Sequence, residues 1–460
     1  MTNFDKITHI WFVGIGGIGM SALARYFSAG GFITGGYDRT ESALTVKLED
    51  EKMSIIYNDD PDMIPGDFKK PGSTLVIYTA AIPAGNKVMQ FFRDREYTIR
   101  KRSEVLGLIS DHTSTLAVAG THGKTSVSTL LAHILKMSSL DCSAFLGGIA
   151  KNYNTNLLIG KSNIAVMEAD EFDRSFHHLK PAAAIITSLD ADHLDVYGTY
   201  EKMVDAYNIF LANTRKGGMV VINQSIETRI KIPGNIDGYT YGLDEGADFH
   251  AMDIRVENEA YRFNIKTPEG IIEDLFLLLP GRLNVENAVA AVSMAKLSGV
   301  EDNEIRKALL CFKGVKRRTD LRIGGDGLVY IDDYAHHPEE IEYFIRSVRD
   351  FYPGRQITGI FQPHLYSRTR DHADAFAAAL DKLDRAILLP VYPAREKEIK
   401  GVDSGLVYSK MKLKNRELAE KKDIPGKLYV LKENDVLVTM GAGDIDRMVE
   451  DIETILKEKH

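Results

Sequence analysis

An apolar stretch, Leu116-Ala117-Val118-Ala119, runs directly into Gly120-Thr121-His122-Gly123-Lys124-Thr125-Ser126 and then into a segment with apolar residues at Val127, Leu130, Leu131, Ile134 and Leu135. The last spacing covers one face of a helix, and the first run has the length and character of a buried strand. Strand, glycine turn and helix in that order leave backbone N–H groups unpaired at the helix start, where they can cradle phosphates. Lys124 then reaches the terminal phosphates and Thr125 contacts Mg²⁺. The loop is a shortened variant, because the full spacing would want glycine where Val118 stands. A lone Gly-Lys-Thr is more often a plain helix start; the flanking strand and helix favour ATP.

The same grammar occurs twice more. Ile10-Trp11-Phe12-Val13 reads as a buried strand, Gly14 to Gly19 as a turn and Met20 to Phe27 as a helix. Gly14, Gly16, Gly17, Ile18 and Gly19 let a diphosphate approach the backbone, and Asp38 follows at the distance of a ribose-binding acid. A nicotinamide dinucleotide, another diphosphate such as a nucleotide sugar, and a bare tight turn all fit. A third restart at Leu328 to Ile331 continues through Ile357 to Phe361, Ala386 to Leu389 and Val436 to Met440, with Gly441-Ala442-Gly443 read as packing. A chain of 460 residues exceeds one hydrophobic core. The expected organisation is α/β, with mostly parallel sheets in three domains: 1–112, 113–324 and 325–460. Ile323 to Gly327 is expected as a linker, and Val220 to Ile272 as a strand-rich insert. Ligands belong at the carboxyl ends of the strands.

Composition removes several classes. A formal charge of −8, from 57 basic against 65 acidic residues, gives no footprint for nucleic acid or an anionic membrane, so anions must be held by local sites. Only Cys142 and Cys311 occur, which suits a reducing compartment and no disulfide framework. No apolar run approaches the length of a membrane helix and no targeting segment is seen, so the expectation is a cytoplasmic protein.

Two carboxylate clusters follow strands beside the phosphate loop. Glu168-Ala169-Asp170-Glu171 ends the Ile164 to Met167 run, and Asp190-Ala191-Asp192-His193 follows Ala183 to Ile186. Oxygen ligands suit Mg²⁺, which neutralises phosphate charge, and a histidine can complete a second site; Glu168 and His193 are the candidates, with Thr125. Acidic helix caps and a solvated histidine are the plainer alternative. In the third part, Asp332-Asp333-Tyr334-Ala335-His336-His337-Pro338 and Gln362-Pro363-His364-Leu365-Tyr366-Ser367-Arg368-Thr369-Arg370 each follow a strand. Histidine with paired arginines makes a pocket for a carboxylate, gripped by the guanidinium fork. Zinc on His336, His337 and His364 competes, weakened because no cysteine joins them and adjacent histidines diverge.

These motifs together resemble the Mur ligase family, which builds the peptide stem of bacterial cell-wall precursors. The resemblance covers nearly the whole chain: Gly-Ile-Gly-Gly-Ile-Gly-Met-Ser-Ala-Leu-Ala at 14 to 24, Gly-Thr-His-Gly-Lys-Thr at 120 to 125, Glu-Ala-Asp-Glu at 168 to 171, Ala-Asp-His at 191 to 193, and Asn284 with Asn287 in Pro-Gly-Arg-Leu-Asn-Val-Glu-Asn-Ala. The segments at 332 to 338 and 361 to 371, Val-Tyr-Pro-Ala-Arg-Glu at 391 to 396 and Gly-Val-Asp-Ser at 401 to 404 look like the L-alanine-adding branch.

The resemblance implies a Rossmann-like first domain for the UDP end of UDP-N-acetylmuramate, a P-loop ATPase-like middle domain for ATP and Mg²⁺, and a Rossmann-like third domain bringing L-alanine. The first glycine turn would thus serve uridine diphosphate, with Thr79 and Ala80 beside it. Gly120 to Ser126, Asn287, Arg318 and Asp333 would serve ATP; Lys124, Glu168, His193, His337 and Arg368 the chemistry; and Tyr334, His337, His364, Arg368 and Arg370 the amino acid. A monomer or weak homodimer is expected. The chain departs from the family at Phe172 (usually serine), Ser188 (asparagine) and Leu283 (histidine). Asn208 stands where other members carry a carbamoylated lysine, a difference that resembles the alanine-adding branch. Rival readings are a recycling ligase that adds a whole tripeptide to the same sugar nucleotide, a dehydrogenase using the first glycine turn, and a non-catalytic nucleotide switch.

Overall fold

β1 (His9–Val13) sits in the middle of a five-stranded sheet, with all of Ile10, Trp11, Phe12 and Val13 removed from solvent. A parallel strand covered on both faces needs an uninterrupted apolar run, because successive side chains point to opposite sides. Ile10 and Phe12 accordingly enter one core and Trp11 and Val13 the other. The remaining strands are β2 (Ile33–Tyr37), β3 (Ser54–Ile56), β4 (Thr74–Tyr78) and β5 (Thr98–Lys101), in the order β3-β2-β1-β4-β5 and all parallel. The helix expected after the first glycine turn spans Ile18–Ala29.

The computed structural model describes residues 6–191, 194–394 and 396–459. They divide into two units: Met1–Met252 with Asn264–Asp274 and Glu286–Phe312, and Asp253–Phe263 with Leu275–Val285 and Lys313–His460. The first unit holds the sheet above and the phosphate-loop sheet. The latter uses β6 (Ser114–Ala119), β7 (Ser143–Ala150), β8 (Thr155–Leu158), β9 (Ile164–Glu168), β10 (Ala183–Ile186), β11 (Met219–Asn223) and β12 (Asp237–Gly242), with β6 between β9 and β10. β13 (Phe249–Glu257), β14 (Ala260–Thr267) and β15 (Gly270–Leu277) continue the strand order beyond β12, as the strand-rich insert expected there.

The second unit carries β16 (Asp320–Ile323), β17 (Val329–Asp333), β18 (Ile357–Phe361), β19 (Arg385–Leu388), β20 (Arg416–Leu418) and β21 (Val436–Met440), ordered β16-β17-β21-β18-β19-β20. Only β16 runs antiparallel. This corrects one expectation. Ile323 to Gly327 is no linker: β16 and β17 pair on either side of it, so its glycines serve a turn inside one unit.

Trp11, the chain's single tryptophan, packs edge-on against Phe68 at 4.9 Å, and its indole N–H has no hydrogen-bond partner among the described residues. Trp11→Ala should cost about 3–5 kcal/mol in urea unfolding followed by circular dichroism. Trp11→Phe should cost far less, since it keeps most of the ring and removes a buried N–H that gains nothing. Equal losses in the two variants would contradict this packing.

Candidate active site

Parallel pairing brings three strand ends together. Val118 of β6 lies beside Glu168 of β9, and Ala119 lies beside Ile186 of β10, so the glycine loop begins where both neighbours end. Gly120 has φ +131° and Gly123 φ +83°, values L side chains rarely adopt, and Gly123 caps the helix Lys124–Met137. Ser188 Oγ accepts from the His122 N–H at 2.8 Å, Thr121 exchanges hydrogen bonds with the Asp190 backbone at 3.0 Å, and Thr187 Oγ1 donates to the His122 carbonyl. The Asn287 side chain lies against Gly123. Serine at 188 therefore still holds the loop although it departs from the family pattern.

Lys124 Nζ donates to Glu171 Oε1 at 2.7 Å and to the Gly120 and Thr121 carbonyls at 2.6 and 3.1 Å. Burial pushes the Glu171 carboxyl up against the pull of this lysine. Glu168 accepts from Thr125 Oγ1 at 3.0 Å, Ser128 Oγ at 3.4 Å and the Gly147 N–H at 3.1 Å. A Cβ on Gly147 would overlap the Glu168 carboxylate, so any side chain there must displace it. Carboxylate and hydroxyl oxygens at the loop's end form the donor set a hard divalent cation takes, and Glu168 and Thr125 fit Mg²⁺. His193 lies outside the described residues. Asn208, in place of the family's modified lysine, accepts from the Lys231 N–H at 2.9 Å.

A cavity of about 270 Å³ joins this cluster to the first glycine turn. Gly17, Ile18, Gly19 and Thr79 line it from the first sheet, Phe145, Gly147 and Glu168 from the second, with Arg102 and Asp170 facing one another at 3.3 Å. Asp38, expected at a ribose, instead accepts from the Gly16 N–H at 2.8 Å and the Thr40 N–H at 3.2 Å, bracing the turn itself. Arg102 escaped the sequence reading, and Glu171 was read there only as a member of an acidic cluster, not as the partner of Lys124. A signal for the first existed: Lys101 and Arg102 cap and open the helix Arg102–His112, where cations oppose the helix dipole. Lys101 pairs with Asp173, so Lys101, Arg102 and Lys124 all meet acids in the segment 170–173.

In the second unit, Asp332 is fully buried and bonded by Arg317 Nε at 3.2 Å and Thr439 Oγ1 at 2.6 Å. Asp333 accepts from the Thr319 and Ala335 N–H groups at 2.6 and 2.7 Å, and burial lifts its carboxyl to about 6. Arg317 and Arg318 stand 5.2 and 5.1 Å from the Tyr334 ring centre. His364 Nδ1 accepts from Arg368 at 3.3 Å, stacks on Tyr392, and is drawn down to about 4 by burial and then by Arg368. His337 caps the helix Pro338–Phe351 with its ring 4.9 Å from that of His372, and burial lowers it too. Arg370 is about half exposed and bonds Asp371 through two nitrogens at 2.7 and 3.1 Å, apart from this group. Zinc is not supported. Among the described residues no set of three His, Cys, Asp or Glu could hold a metal, and His336 turns its Nδ1 to the Tyr334 carbonyl.

A phosphate loop, an oxygen-donor pair beside it and a cavity reaching a second glycine turn are the parts of a nucleotide-dependent enzyme. The description "Mur ligase family, catalytic domain" matches residues 9–113, "Mur ligase middle domain" 118–295 and "Mur ligase, glutamate ligase domain" 317–443. The chain belongs to the Mur ligase family. UDP-N-acetylmuramate–L-alanine ligases from Parabacteroides distasonis and Porphyromonas gingivalis are each 46% identical, covering 99% and 97% of this chain and 98% and 99% of theirs. The crystal structure of a UDP-N-acetylmuramate-alanine ligase from Thermotoga maritima superposes with a TM-score of 0.82 at 26% identity, covering 98% of this chain and 100% of that one. A murein peptide ligase from Psychrobacter arcticus shares the fold at a TM-score of 0.67 and 22% identity, with 98% of each chain covered.

The histidines give a pH test. A folded value near 4 means that His364 stays neutral where an unfolded histidine, titrating near about 6.5, is protonated. Its stabilising contribution is thus complete above the unfolded value and is lost as pH falls toward the folded one. The His364 ring resonance should keep its neutral position down to about pH 5. Titration near the unperturbed value would overturn the buried, arginine-facing placement.

Proposed function

We infer that this chain is an ADP-forming ligase that joins the lactyl carboxylate of UDP-N-acetylmuramate to L-alanine, in the synthesis of peptidoglycan precursors. The observation that carries the reading is the cavity in which the first glycine turn and Glu168 face the same space, next to Lys124 and Thr125. A sugar nucleotide laid along the first turn presents its carboxylate there, beside the terminal phosphate of ATP in the loop. The relatives' identity over nearly the full chain supports alanine as the second substrate, and nothing in the site favours the tripeptide-adding alternative.

A carboxylate does not exchange its oxygen for an amine at neutral pH, because oxide would have to leave. Transfer of the γ-phosphoryl group to that carboxylate gives an acyl phosphate; the amine of alanine then forms the amide bond, and phosphate departs. Such transfer needs positioning and charge neutralisation more than a protein nucleophile. Lys124 exchanges Glu171 for the terminal phosphates, the loop amides of Gly120 to Ser126 hold the chain of phosphates, and Asn287 serves the rest of ATP. Glu168 and Thr125, with His193, would hold Mg²⁺, which screens phosphate charge when bound. Gly14 to Gly19, Thr79, Ala80 and Arg102 serve the sugar diphosphate, with Asp38 bracing the turn. Arg368, with His364, His337 and Tyr334, receives alanine's carboxylate and amine, and a neutral His337 is suited to take the amine's proton.

Lys124→Ala should lower phosphate release at least about a hundredfold while leaving UDP-N-acetylmuramate binding by calorimetry nearly intact. Residual turnover of more than a few per cent would remove the lysine from the transition state. Gly147→Ala and Glu168→Ala should both raise the Mg²⁺ concentration for half-maximal rate; unchanged dependence in both would mean that Glu168 only braces the loop.

The arginines separate by their surroundings. Arg368→Ala should raise the alanine KM by roughly thirty- to a thousandfold, since losing a desolvated charged contact costs about 2–4 kcal/mol. Arg370→Ala should change it little, its guanidinium being engaged with Asp371 at the surface. Phosphate release with UDP-N-acetylmuramate and each common amino acid in turn tests the substrate itself: preference for another amino acid or for a tripeptide would overturn the reading.

A further inference from the structure

At the far end of the phosphate-loop helix lies a cluster that the ligase reaction does not use. The helix Lys124–Met137 carries His133 and Met137 in its last turns, and the helix Asp302–Cys311 ends beside them. The Cys311 thiol donates to Met137 Sδ at 3.3 Å, and Cys311 Sγ lies 3.4 Å from His133 Nε2. We propose that Cys311 and Met137 form a binding site for a soft monovalent cation, Cu(I) or its analogue Ag(I), with His133 bonded to the metal-bound thiolate.

Both sulfurs are within reach of solvent: Cys311 is exposed and Met137 is 44% exposed. A thiolate and a thioether are the ligand pair that selects soft, low-coordinate cations over the hard divalent ions of the phosphate site. With the two sulfurs 3.3 Å apart, the cation takes the place of the thiol proton, with one proton released for each ion bound. The Ala308 carbonyl, 3.5 Å from the sulfur, is an alternative acceptor for that same proton and loses it when the ion binds. Met137 is unbranched, and its exposed end can swing outward to open the sulfur–sulfur distance for an intervening ion.

The imidazole is set for a supporting role. His133 Nδ1 accepts from the Tyr153 hydroxyl at 2.8 Å, which leaves the proton on Nε2, where it faces the Ala308 carbonyl at 3.1 Å and Cys311 Sγ. That N–H stabilises a thiolate without competing for the cation. Asn152 Nδ2 donates to the Cys311 carbonyl at 2.8 Å and anchors the cysteine's backbone. The chain's other cysteine, Cys142, is buried with its thiol pushed up to about 12, so it offers no rival site. The cluster stands about 20 Å from Lys124, one helix length away.

The test uses full-length protein under anaerobic conditions, with Ag⁺ as the probe and an excess of glutathione to strip any isolated surface thiol. Wild type should retain one silver ion per chain, seen by metal analysis after desalting. Cys311→Ser should retain none while turning over substrate at the wild-type rate. Met137→Leu should hold silver at least about tenfold more weakly. Retention by Cys311→Ser would overturn the site, and so would equal affinity in wild type and Met137→Leu, which would reduce the binding to capture by one thiol.

Discussion

The pairing of β6 with β9 on one side and β10 on the other is the constraint on which the phosphate site depends. Because Val118 sits beside Glu168 and Ala119 beside Ile186, the loop, the carboxylate and the Thr187–Ser188 backbone emerge within hydrogen-bond reach of one another. A register slip of one residue would turn Glu168 to the other face of the sheet and leave the loop without its brace. The apolar runs that form these strands thus also place the polar residues at their ends.

Around that frame the chain solves an electrostatic problem. It is acidic overall, yet it must hold phosphates, so its cations are local and each is kept in order by an acid. Lys101, Arg102 and Lys124 pair with Asp173, Asp170 and Glu171. Lys124 and Glu171 are the most buried of these, where an unpaired charge would be costly and where a phosphate can take over one partner only by satisfying the lysine equally well. The turn that carries these acids bends through left-handed backbone at Asp173 and Arg174. Such geometry persists only when surrounding contacts hold it, and the three ion pairs supply them.

The second unit uses neutrality where the first uses charge. His336, His337 and His364 are all drawn below the ordinary histidine value by burial, and His364 accepts a hydrogen bond from Arg368. An arginine beside neutral imidazoles keeps its charge available for a carboxylate, and a neutral imidazole can accept a proton from an incoming ammonium. Glu340 fixes the entry to this group by accepting from the N–H groups of both His336 and His337.

The sequence alone was enough for the α/β class, the strand runs at 10–13, 116–119, 164–167 and 357–361, and the phosphate loop, because each rests on local pattern: continuous apolar residues for a doubly covered strand, and glycines where the backbone must take positive φ. The role of Arg102 and the partner of Glu171 were beyond it, since they come from facing a cavity and a lysine that lie far along the chain. Asp38 and Arg370 matched a motif by spacing, but the fold turned one onto the Gly16 backbone and the other onto Asp371. Ile323 to Gly327 looked like a linker for the same reason: glycine marks a turn, and only strand pairing decides whether that turn joins two bodies or closes a hairpin. Local pattern determines what a segment can become, whereas a side chain's partner is decided by whichever distant group the packed sheets bring within hydrogen-bond distance.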